Sequence, residues 1–450
     1  MTETAESRLL RNLRQAIQPL DRGAAAQIAQ SMAKSHIVMI GEATHGTDEF
    51  YRLRAEITKC LIRDHGFAAV TVEGDWPDCY RVNRYVRGAA DIGQALGALS
   101  DFQRFPDWMW RNPIIADFID WLRAHNAAIA APQDKAGFYG LDLYSLYASI
   151  EGVIAYLDSV DPASAERARR YYACFDHGHR LAQTPQAYGQ RVLSGVSPDC
   201  ERQAIEQISA LRRNAALYMR RDGFAAGEAY FCADRNAEVV LRAEHYYRAM
   251  FQGRAISWNL RDRHMADTLF ALSDYLGGWR GEKAKIVVWA HNSHVGDARA
   301  TEMGHLGEWS LGQLVREARG DDAFLLGLST YAGEVTAASA WDGEAKRKRL
   351  RPALPGSYEH LFHLLGQPGF FLSLRSDKPL QHALGIPRLQ RAVGVVYLPE
   401  SERTSHYFLS RLPRQFDAIA HIDETSALAP LAPHRRVPVH DLMDTYPSGI

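Results

Sequence analysis

The sequence predicts an α/β protein with a mostly parallel central sheet flanked by helices, and with a helical insertion that forms one wall of a cleft. Short apolar runs recur along the chain, and several are continuously apolar rather than alternating. Such runs are typical of strands buried on both faces of a parallel sheet, which helices must then cover. The predicted strands are His36–Glu42, Ala68–Glu73, Gly137–Asp142, Lys285–His291, Phe324–Thr330, Phe370–Leu374 and Ala392–Tyr397.

Between residues 145 and 275 no comparable run occurs, and composition and spacing predict helices instead. These helices are expected within Pro162–Phe175, Pro198–Tyr218 and Gly227–Met250, with a loop at Gly195–Pro198. We therefore divide the chain into a first part of the α/β core at 1–144, a helical insertion at 145–275 and a second part of the core at 276–450.

The composition disfavours several classes of partner. The 450 residues contain 52 Lys and Arg against 53 Asp and Glu, and a net charge of −1 gives no footprint for nucleic acid or an anionic membrane. A polar N-terminal segment, and no apolar run near the roughly 20 residues of a bilayer span, predict a cytoplasmic protein. Five widely spaced cysteines without a CxxC pair predict neither a disulfide scaffold nor a thiolate zinc site.

Polar groups stand where several predicted strands end, namely Glu42, Glu73, Asp142 and His291. In open parallel sheets, ligands bind at the carboxyl ends of the strands. The segment Gly41–Thr47 turns through two glycines into a helix predicted from Asp48, and places His45 beside helix N-terminal amides. The positive end of a helix disfavours imidazolium and leaves the ring available as a base, although a capping or surface histidine is the simpler interpretation of His45 alone.

The helix after this turn carries an apolar stripe, and Arg54 lies on it. Because an unpaired buried arginine is costly, Arg54 needs a carboxylate partner. Consecutive parallel strands are neighbours about two times in three, so Glu42, His45 and Glu73 are expected to converge. Arg54 then either forms a structural ion pair with Glu42 or Glu73, or supplies a positive charge that stabilises developing negative charge. The stripe consists of Phe50, Leu53, Ile57 and Leu61.

Two histidines spaced three apart, His291 and His294, follow another predicted strand. The two histidines could form a catalytic pair, could be one functional residue and one surface residue, or could merely cap a loop. With Glu42, Glu73, His45 and Arg54 they form a set suited to water activation and oxyanion stabilisation. The two glutamates and three histidines also fit a divalent metal with an open position for water.

Other features carry less weight in the sequence. The aromatic cluster Phe105–Trp110 is interpreted as core, the basic run Lys346–Arg349 as a solvated loop, and Arg261 with Asp262 as local salt-bridge formers. The chain lacks a G-x-S-x-G elbow, an H-E-x-x-H motif, a Walker A motif and a G-x-G-x-x-G after a strand. These absences disfavour serine hydrolases, zincins, P-loop NTPases and Rossmann dehydrogenases.

Four of these segments resemble the erythromycin esterase family: Gly41–Thr47, Glu49–Ile57, Val72–Gly74 and Ala290–Val295. The resemblance extends over nearly the whole chain. It implies hydrolysis of the macrolactone ester of erythromycin-like antibiotics, hence bacterial macrolide resistance, without a serine nucleophile or a cofactor. It also implies that the histidine matching His45 is the general base on water, and that Glu42, Glu73, Arg54, His291 and His294 line the site.

The sequence therefore predicts a carboxylic-ester hydrolase with a small-molecule ester or lactone substrate. In this prediction Glu42 or Glu73 orients His45, while His291, with Arg54, stabilises the oxyanion or protonates the leaving alkoxide. Two alternatives stay open. One is a metal-dependent hydrolase of a different substrate on the same residues, and the other is a non-catalytic family member linked to polysaccharide biosynthesis.

Overall fold

The computed structural model describes residues 5–176, 184–219 and 223–431. Within them the strands are β1 (Gln18–Pro19), β2 (Ile37–Ile40), β3 (Ala69–Asp75), β4 (Gly137–Asp142), β5 (Ile286–Trp289), β6 (Ala323–Ala337), β7 (Lys346–Leu350), β8 (Gly369–Ser373), β9 (Arg388–Arg391), β10 (Tyr407–Ser410) and β11 (Ala418–Thr425).

The helices are α1 (Ala5–Ala16), α2 (Ala24–Met32), α3 (Asp48–His65), α4 (Trp76–Val86), α5 (Ala95–Ala98), α6 (Pro113–Ala127), α7 (Leu146–Val160), α8 (Pro162–Tyr172), α9 (Pro185–Leu193), α10 (Glu201–Arg213), α11 (Ala215–Tyr218), α12 (Gly223–Ala249), α13 (Arg254–Arg280), α14 (Asn292–Val295), α15 (Glu302–His305), α16 (Leu311–Arg319), α17 (Tyr358–His363), α18 (Lys378–Ala383), α19 (Glu402–Ser405) and α20 (Leu412–Gln415). Short 3₁₀ helices cover Asp107–Met109, Pro132–Asp134, Ala173–Asp176, Ala298–Ala300 and Gly320–Asp322. None of the helices described is both long and apolar enough to cross a bilayer.

The central sheet confirms the predicted mostly parallel α/β fold. Its strand order is β1-β8-β11-β6-β2-β5-β3-β4, with β7 paired to β6. Every pairing from β11 to β4 is parallel, whereas β8, β1 and β7 add antiparallel strands at one edge and at the end of β6. The carboxyl ends of β2, β5 and β3 therefore lie side by side.

Both faces of the sheet are buried, which explains the continuously apolar strands. Successive residues point to opposite faces, so Val38 and Val287 pack with α2, α3 and α6, while Met39 and Val288 pack with α13 and α16. Helix α3 begins at Asp48 as predicted, and its Phe50, Ile57 and Leu61 are fully buried. The apolar stripe thus fixes the rotation of the helix that carries Arg54.

A helical region, α7 to α13, separates β4 from β5 and has its own apolar core. Its last helix brings Arg261 to the cleft wall, as the predicted insertion requires, while the bounds at 145 and 275 stay a prediction. One expectation about this region is wrong: Cys174 and Cys200 form a disulfide. They are 26 residues apart in sequence, but the packing of α8 and α10 brings their Cα atoms to 5.9 Å, and spacing alone does not reveal this. The other cysteines are free and buried, as expected of small hydrophobes.

Two further predictions about the second part of the core are wrong, and strand β11 was missed. The run Ala392–Tyr397 is not a sheet strand and makes only isolated bridges, such as Val393 to Thr44. The run Lys346–Arg349 is solvated but lies in strand β7 rather than in a loop. Strand β11 was not predicted, because its short apolar stretch is interrupted by His421, a buried histidine that contacts Ser329 Oγ at 2.9 Å through Nδ1.

Candidate active site

The first part of the site is the turn between β2 and α3. Two glycines permit its close packing, because a side chain at Gly41 would collide with the Asn292 amide and one at Gly46 with the backbone of Thr336. The side chain of Glu42 is buried here and accepts from His45 Nδ1 at 3.0 Å. Since the carboxylate holds a proton on Nδ1, Nε2 of His45 is the basic nitrogen. The ring of His45 lines the cavity described below.

Arg54 approaches the same glutamate from α3. Its Nη2 forms an ion pair with Glu42 Oε2 at 2.9 Å, and its side chain is fully buried. The guanidinium lies 4.4 Å from the Tyr51 ring centroid and 5.4 Å from that of Trp289, so aromatic rings cover it. Of the two predicted partners, Arg54 therefore pairs with Glu42 and not with Glu73, and it lies behind His45 rather than in the cavity wall.

His291 follows β5 and caps the short helix α14. Its Nδ1 accepts from the Ser293 backbone amide at 3.2 Å, so the proton of the neutral ring is on Nε2. Burial and the neighbouring His45 hold the pKa of His291 well below its usual value, so this ring is neutral. The rings of His45 and His291 have centroids 4.9 Å apart. Nε2 of His291 makes no well-formed hydrogen bond to a described residue, although the Ala43 backbone is close enough to act on the pKa of the ring.

Glu73 ends β3 on the other side of β5. Its Oε2 accepts from the His291 backbone amide at 2.8 Å, and its Oε1 accepts from Arg261 Nη2 at 2.7 Å. Burial alone would raise the pKa of Glu73, but the positive charges of His294 and Arg261 hold it well below its usual value. Glu73 is thus an ionised group that fixes the backbone at His291.

A second network lies behind Glu73 and contains His294. Nδ1 of His294 contacts Asp262 Oδ1 at 2.9 Å, while Nε2 is 3.3 Å from Glu73 Oε1 and 3.0 Å from Arg261 Nη1. Burial opposes protonation of this ring, but the Asp262 and Glu73 carboxylates raise the pKa of His294 to about 9. Trp258 stacks on the ring with centroids 4.5 Å apart, so both ring nitrogens and one face are occupied.

Sequence reasoning did not predict the role of Arg261 and Asp262. They do not pair locally as expected: Arg261 reaches the carboxylate of Asp142 through Nε at 3.0 Å and Nη2 at 2.6 Å, as well as Glu73, and Asp262 reaches His294. The available signal was Asp142 at a strand end, since a third carboxylate at this sheet edge requires another buried cation. The expectation that β2 and β3 are neighbours is wrong too, because β5 lies between them.

A cavity of about 90 Å³ opens beside His45 and Glu73. Phe102, Phe105, Met109 and Trp110 belong to its wall, so the aromatic cluster predicted as core is buried and also faces the cavity. Its remaining lining residues are Gly74, Asp75, Asp78, Arg104, Pro106, Asp142, Tyr144, Arg261, Trp341 and Val395.

Three of the five side chains that could ligate a divalent metal at the predicted site are already paired with other side chains. Arg54 pairs with Glu42, Arg261 pairs with Glu73, and the two ring nitrogens of His294 face the carboxylates of Asp262 and Glu73, so these side chains are committed to each other. Among the described residues, three ligating side chains approach one point only at Glu201, Glu244 and His245 in the helical region. There Arg248 already lies 3.0 Å from Glu201 Oε2 and 2.9 Å from Glu244 Oε1, and it neutralises the carboxylates.

Known proteins match this chain over most of its length at low sequence identity. A family model described as erythromycin esterase matches residues 62–425, a range that includes Glu73, His291 and His294. The chain is 21% identical over 408 residues to Erythromycin esterase type II of Escherichia coli, covering 87% of this chain and 90% of that protein. It is 20% identical over 384 residues to the putative hydrolase YbfO of Bacillus subtilis (strain 168), covering 80% of each.

Solved structures show the same architecture. A Bacillus cereus protein superposes with a TM-score of 0.75 at 18% identity, covering 96% of this chain and all of the other. A succinoglycan biosynthesis protein gives 0.73 at 19% identity, with 95% and 99% covered. A mutant of the erythromycin esterase EreC, in its open conformation, gives 0.64 at 14% identity, with 94% and 97% covered.

Proposed function

This chain belongs to the erythromycin esterase family, and on that premise we propose that it hydrolyses a carboxylic ester or lactone by general-base activation of water. The observation that carries the proposal is the Glu42–His45 pair, with Nδ1 held at 3.0 Å by a buried carboxylate and the ring at the cavity wall. A histidine whose Nδ1 proton is held by a carboxylate can take a proton from water through Nε2.

In the proposed reaction, Nε2 of His45 takes a proton from water as the oxygen attacks the carbonyl carbon of the ester. The negative charge moves to the carbonyl oxygen, and the Nε2 proton of the neutral His291 donates a hydrogen bond to it. The tetrahedral intermediate then expels the alkoxide, which takes the proton from His45. The products are a carboxylic acid and an alcohol, and no covalent enzyme intermediate is formed.

The remaining predicted site residues position these two histidines. Arg54 holds Glu42 through the 2.9 Å ion pair, so it acts on His45 through the carboxylate and not on the oxyanion. Glu73 anchors the His291 amide, and His294 with Arg261 holds Glu73 ionised. We propose that this reaction needs no metal, since the carboxylates that would ligate one already bind arginines.

A macrolactone of the erythromycin type is the first candidate substrate, since the curated Escherichia coli relative is named an erythromycin esterase. Macrolide inactivation by this chain is the specific form of the proposal, and hydrolysis of a smaller ester is the general form. The cavity volume of about 90 Å³ is below the 300–1,000 Å³ of typical sites for drug-sized ligands. It accommodates the ester group and its nearest substituents.

The test is mass spectrometry of erythromycin, other macrolides and small esters after incubation with purified protein, with and without a chelator. A gain of one water that survives the chelator and disappears in His45→Ala supports the metal-independent esterase. Loss of activity with the chelator favours the metal-dependent alternative. No hydrolysis of any ester or lactone contradicts the proposal and favours a non-catalytic role.

A further inference from the structure

The wall of the cavity beside His45 carries two further carboxylates that the proposed reaction does not use. Asp75 ends β3, and Asp78 lies in the first turn of α4. Both line the cavity that contains His45 and Glu73. We call Asp75 and Asp78 the acidic wall. A helix N-terminus normally stabilises carboxylates by its positive dipole, so their ionisation would be expected to be easy here.

The acidic wall is instead short of positive charge. Asp75 Oδ2 accepts from Arg104 Nη1 at 2.9 Å, whereas Asp78 forms no hydrogen bond or ion pair with a described residue. The other cation of the cavity, Arg261, is bound to Asp142 and Glu73. Two largely buried carboxylates thus share one guanidinium.

Burial combined with this shortage of positive charge raises the pKa of both carboxylates. Burial raises the pKa of Asp75 above its usual value, and Arg104 only partly offsets this. For Asp78, burial and the nearby Asp75 charge raise the pKa well above the usual range. Oδ1 of Asp75 is buried without a well-formed hydrogen bond, although the backbone amide of Tyr144 is close enough to lower its pKa. A cation in the cavity would let both carboxylates ionise.

Aromatic rings complete the same wall. Phe105 and Trp341 meet edge to face with centroids 5.0 Å apart, and Trp110 is held in place because its indole N–H donates to the Glu73 carbonyl at 3.2 Å. The rings of Phe105, Trp110 and Trp341, together with Phe102, have no arginine or lysine over them among the described residues, in contrast to Tyr144, which Arg104 and Arg261 both approach.

We infer that the acidic wall and these four rings form a subsite for an alkylammonium group, so that the preferred substrates are esters carrying an amine near the scissile bond. Carboxylates supply the counter-charge, and the aromatic faces contact the methyl or methylene groups that carry the positive charge. The inference rests on the proposed function only in that the substrate is an ester. Binding of a free alkylammonium ion to the subsite requires no catalysis.

The first experiment measures binding and requires no turnover. Tetramethylammonium is titrated into the full chain and followed by tryptophan fluorescence, with tert-butanol as the uncharged probe of similar shape. We expect saturable binding of tetramethylammonium alone, and we expect this binding to be weakened about tenfold in Asp78→Asn. The matched control is Asp91→Asn, which removes an exposed carboxylate paired with Arg84 outside the cavity and should bind as the parent does.

The second experiment compares two esters of equal shape. Acetylcholine and 3,3-dimethylbutyl acetate differ by a charged nitrogen in place of a carbon. We expect kcat/KM to favour the charged ester by about tenfold, and this ratio to approach one in Asp78→Asn and in Asp75→Asn. A general loss of folded protein lowers kcat/KM for both esters equally and leaves their ratio unchanged. A change in the ratio in both variants therefore reports recognition of the charge.

The outcomes distinguish the two proposals. Equal binding of the charged and uncharged probes, or an unchanged preference in both aspartate variants, overturns the ammonium subsite even if esters are hydrolysed. Binding of tetramethylammonium that depends on Asp78 supports the subsite even if no ester is hydrolysed, in which case the esterase proposal alone fails.

Discussion

Two carboxylate–histidine pairs lie at the same edge of the sheet and differ in what the second ring nitrogen meets. Glu42 holds His45 Nδ1 at 3.0 Å, and Asp262 holds His294 Nδ1 at 2.9 Å. His45 faces the cavity, whereas Nε2 of His294 meets Arg261 and Glu73 under the stacked Trp258. For the same chemical pair we therefore propose a base where Nε2 is accessible, and infer a buried positive charge where it is not. Sequence spacing does not distinguish the two cases, but the contacts of Nε2 do.

The largest expected effect is that of His45→Ala on catalysis. Removing the base should lower kcat by about 10²–10⁴-fold, while the free energy of unfolding should fall by only about 1–3 kcal/mol, because Glu42 loses one buried hydrogen-bond donor. Ester hydrolysis and urea unfolding measure the two effects. His305→Ala, a change at an exposed histidine in a short helix, is the control. Activity within twofold of the parent would show that His45 is not the base.

The next effect should appear chiefly in stability. Arg261→Met removes the cation shared by Glu73 and Asp142, which leaves the buried Asp142 without its cation and Glu73 with His294 alone. Breaking such a pair costs about 3–5 kcal/mol, which a shift of the urea midpoint at constant slope would measure. Arg299→Met breaks an ion pair whose arginine is half exposed, and should cost under about 1 kcal/mol. Equal costs for the two variants would contradict the contrast between buried and exposed pairs.

The charge on His294 should make stability fall as the pH rises. Its pKa is about 9 in the folded protein, and an unfolded histidine titrates near 6.5. The stabilisation is thus complete below about pH 6.5 and is lost as the pH rises through about 9, a change of roughly 3 kcal/mol. Urea unfolding at pH 6.5, 8 and 9.5 measures it, and in His294→Asn this decline should disappear. A decline of the same size in the variant would assign it to other groups.

Much of the candidate site could be predicted because it is local to strand ends. Glu42, Glu73 and His291 each directly follow or end a recognisable apolar run, and Arg54 lies on a recognisable helix stripe. The structure brings these residues together with His45 and His294, although their catalytic roles stay predictions. The tight turn through Gly41 and Gly46 could also be predicted from the sequence, since glycine permits close packing of the backbone.

The unpredicted parts depend on contacts between distant segments. Arg261 lies on a 27-residue helix and reaches Asp142 and Glu73, which precede it by 119 and 188 residues. Periodicity identifies such a helix but not which of its polar residues face the sheet. The position of β5 between β2 and β3 likewise depends on the order of strands in the sheet. It places His291 between the strand ends that carry Glu42 and Glu73. The choice between Glu42 and Glu73 as the partner of His45 therefore needed the structure.

The smallest expected effect tests that choice directly. In Glu42→Gln the side-chain oxygen should remain with Arg54, which can only donate, so the amide nitrogen turns toward His45. Nδ1 of His45 must then accept a hydrogen bond, so the ring proton moves to Nε2. The ring keeps its position but no longer offers a basic Nε2 to water. We expect kcat to fall about 100-fold with KM nearly unchanged, and the free energy of unfolding to fall as well because the buried Arg54 loses its counter-charge, whereas Glu56→Gln on the exposed face of α3 should leave both as they are. A normal kcat in Glu42→Gln, together with loss of activity in Glu73→Gln, would instead transfer the orienting role to Glu73 and make the Glu42–Arg54 pair purely structural.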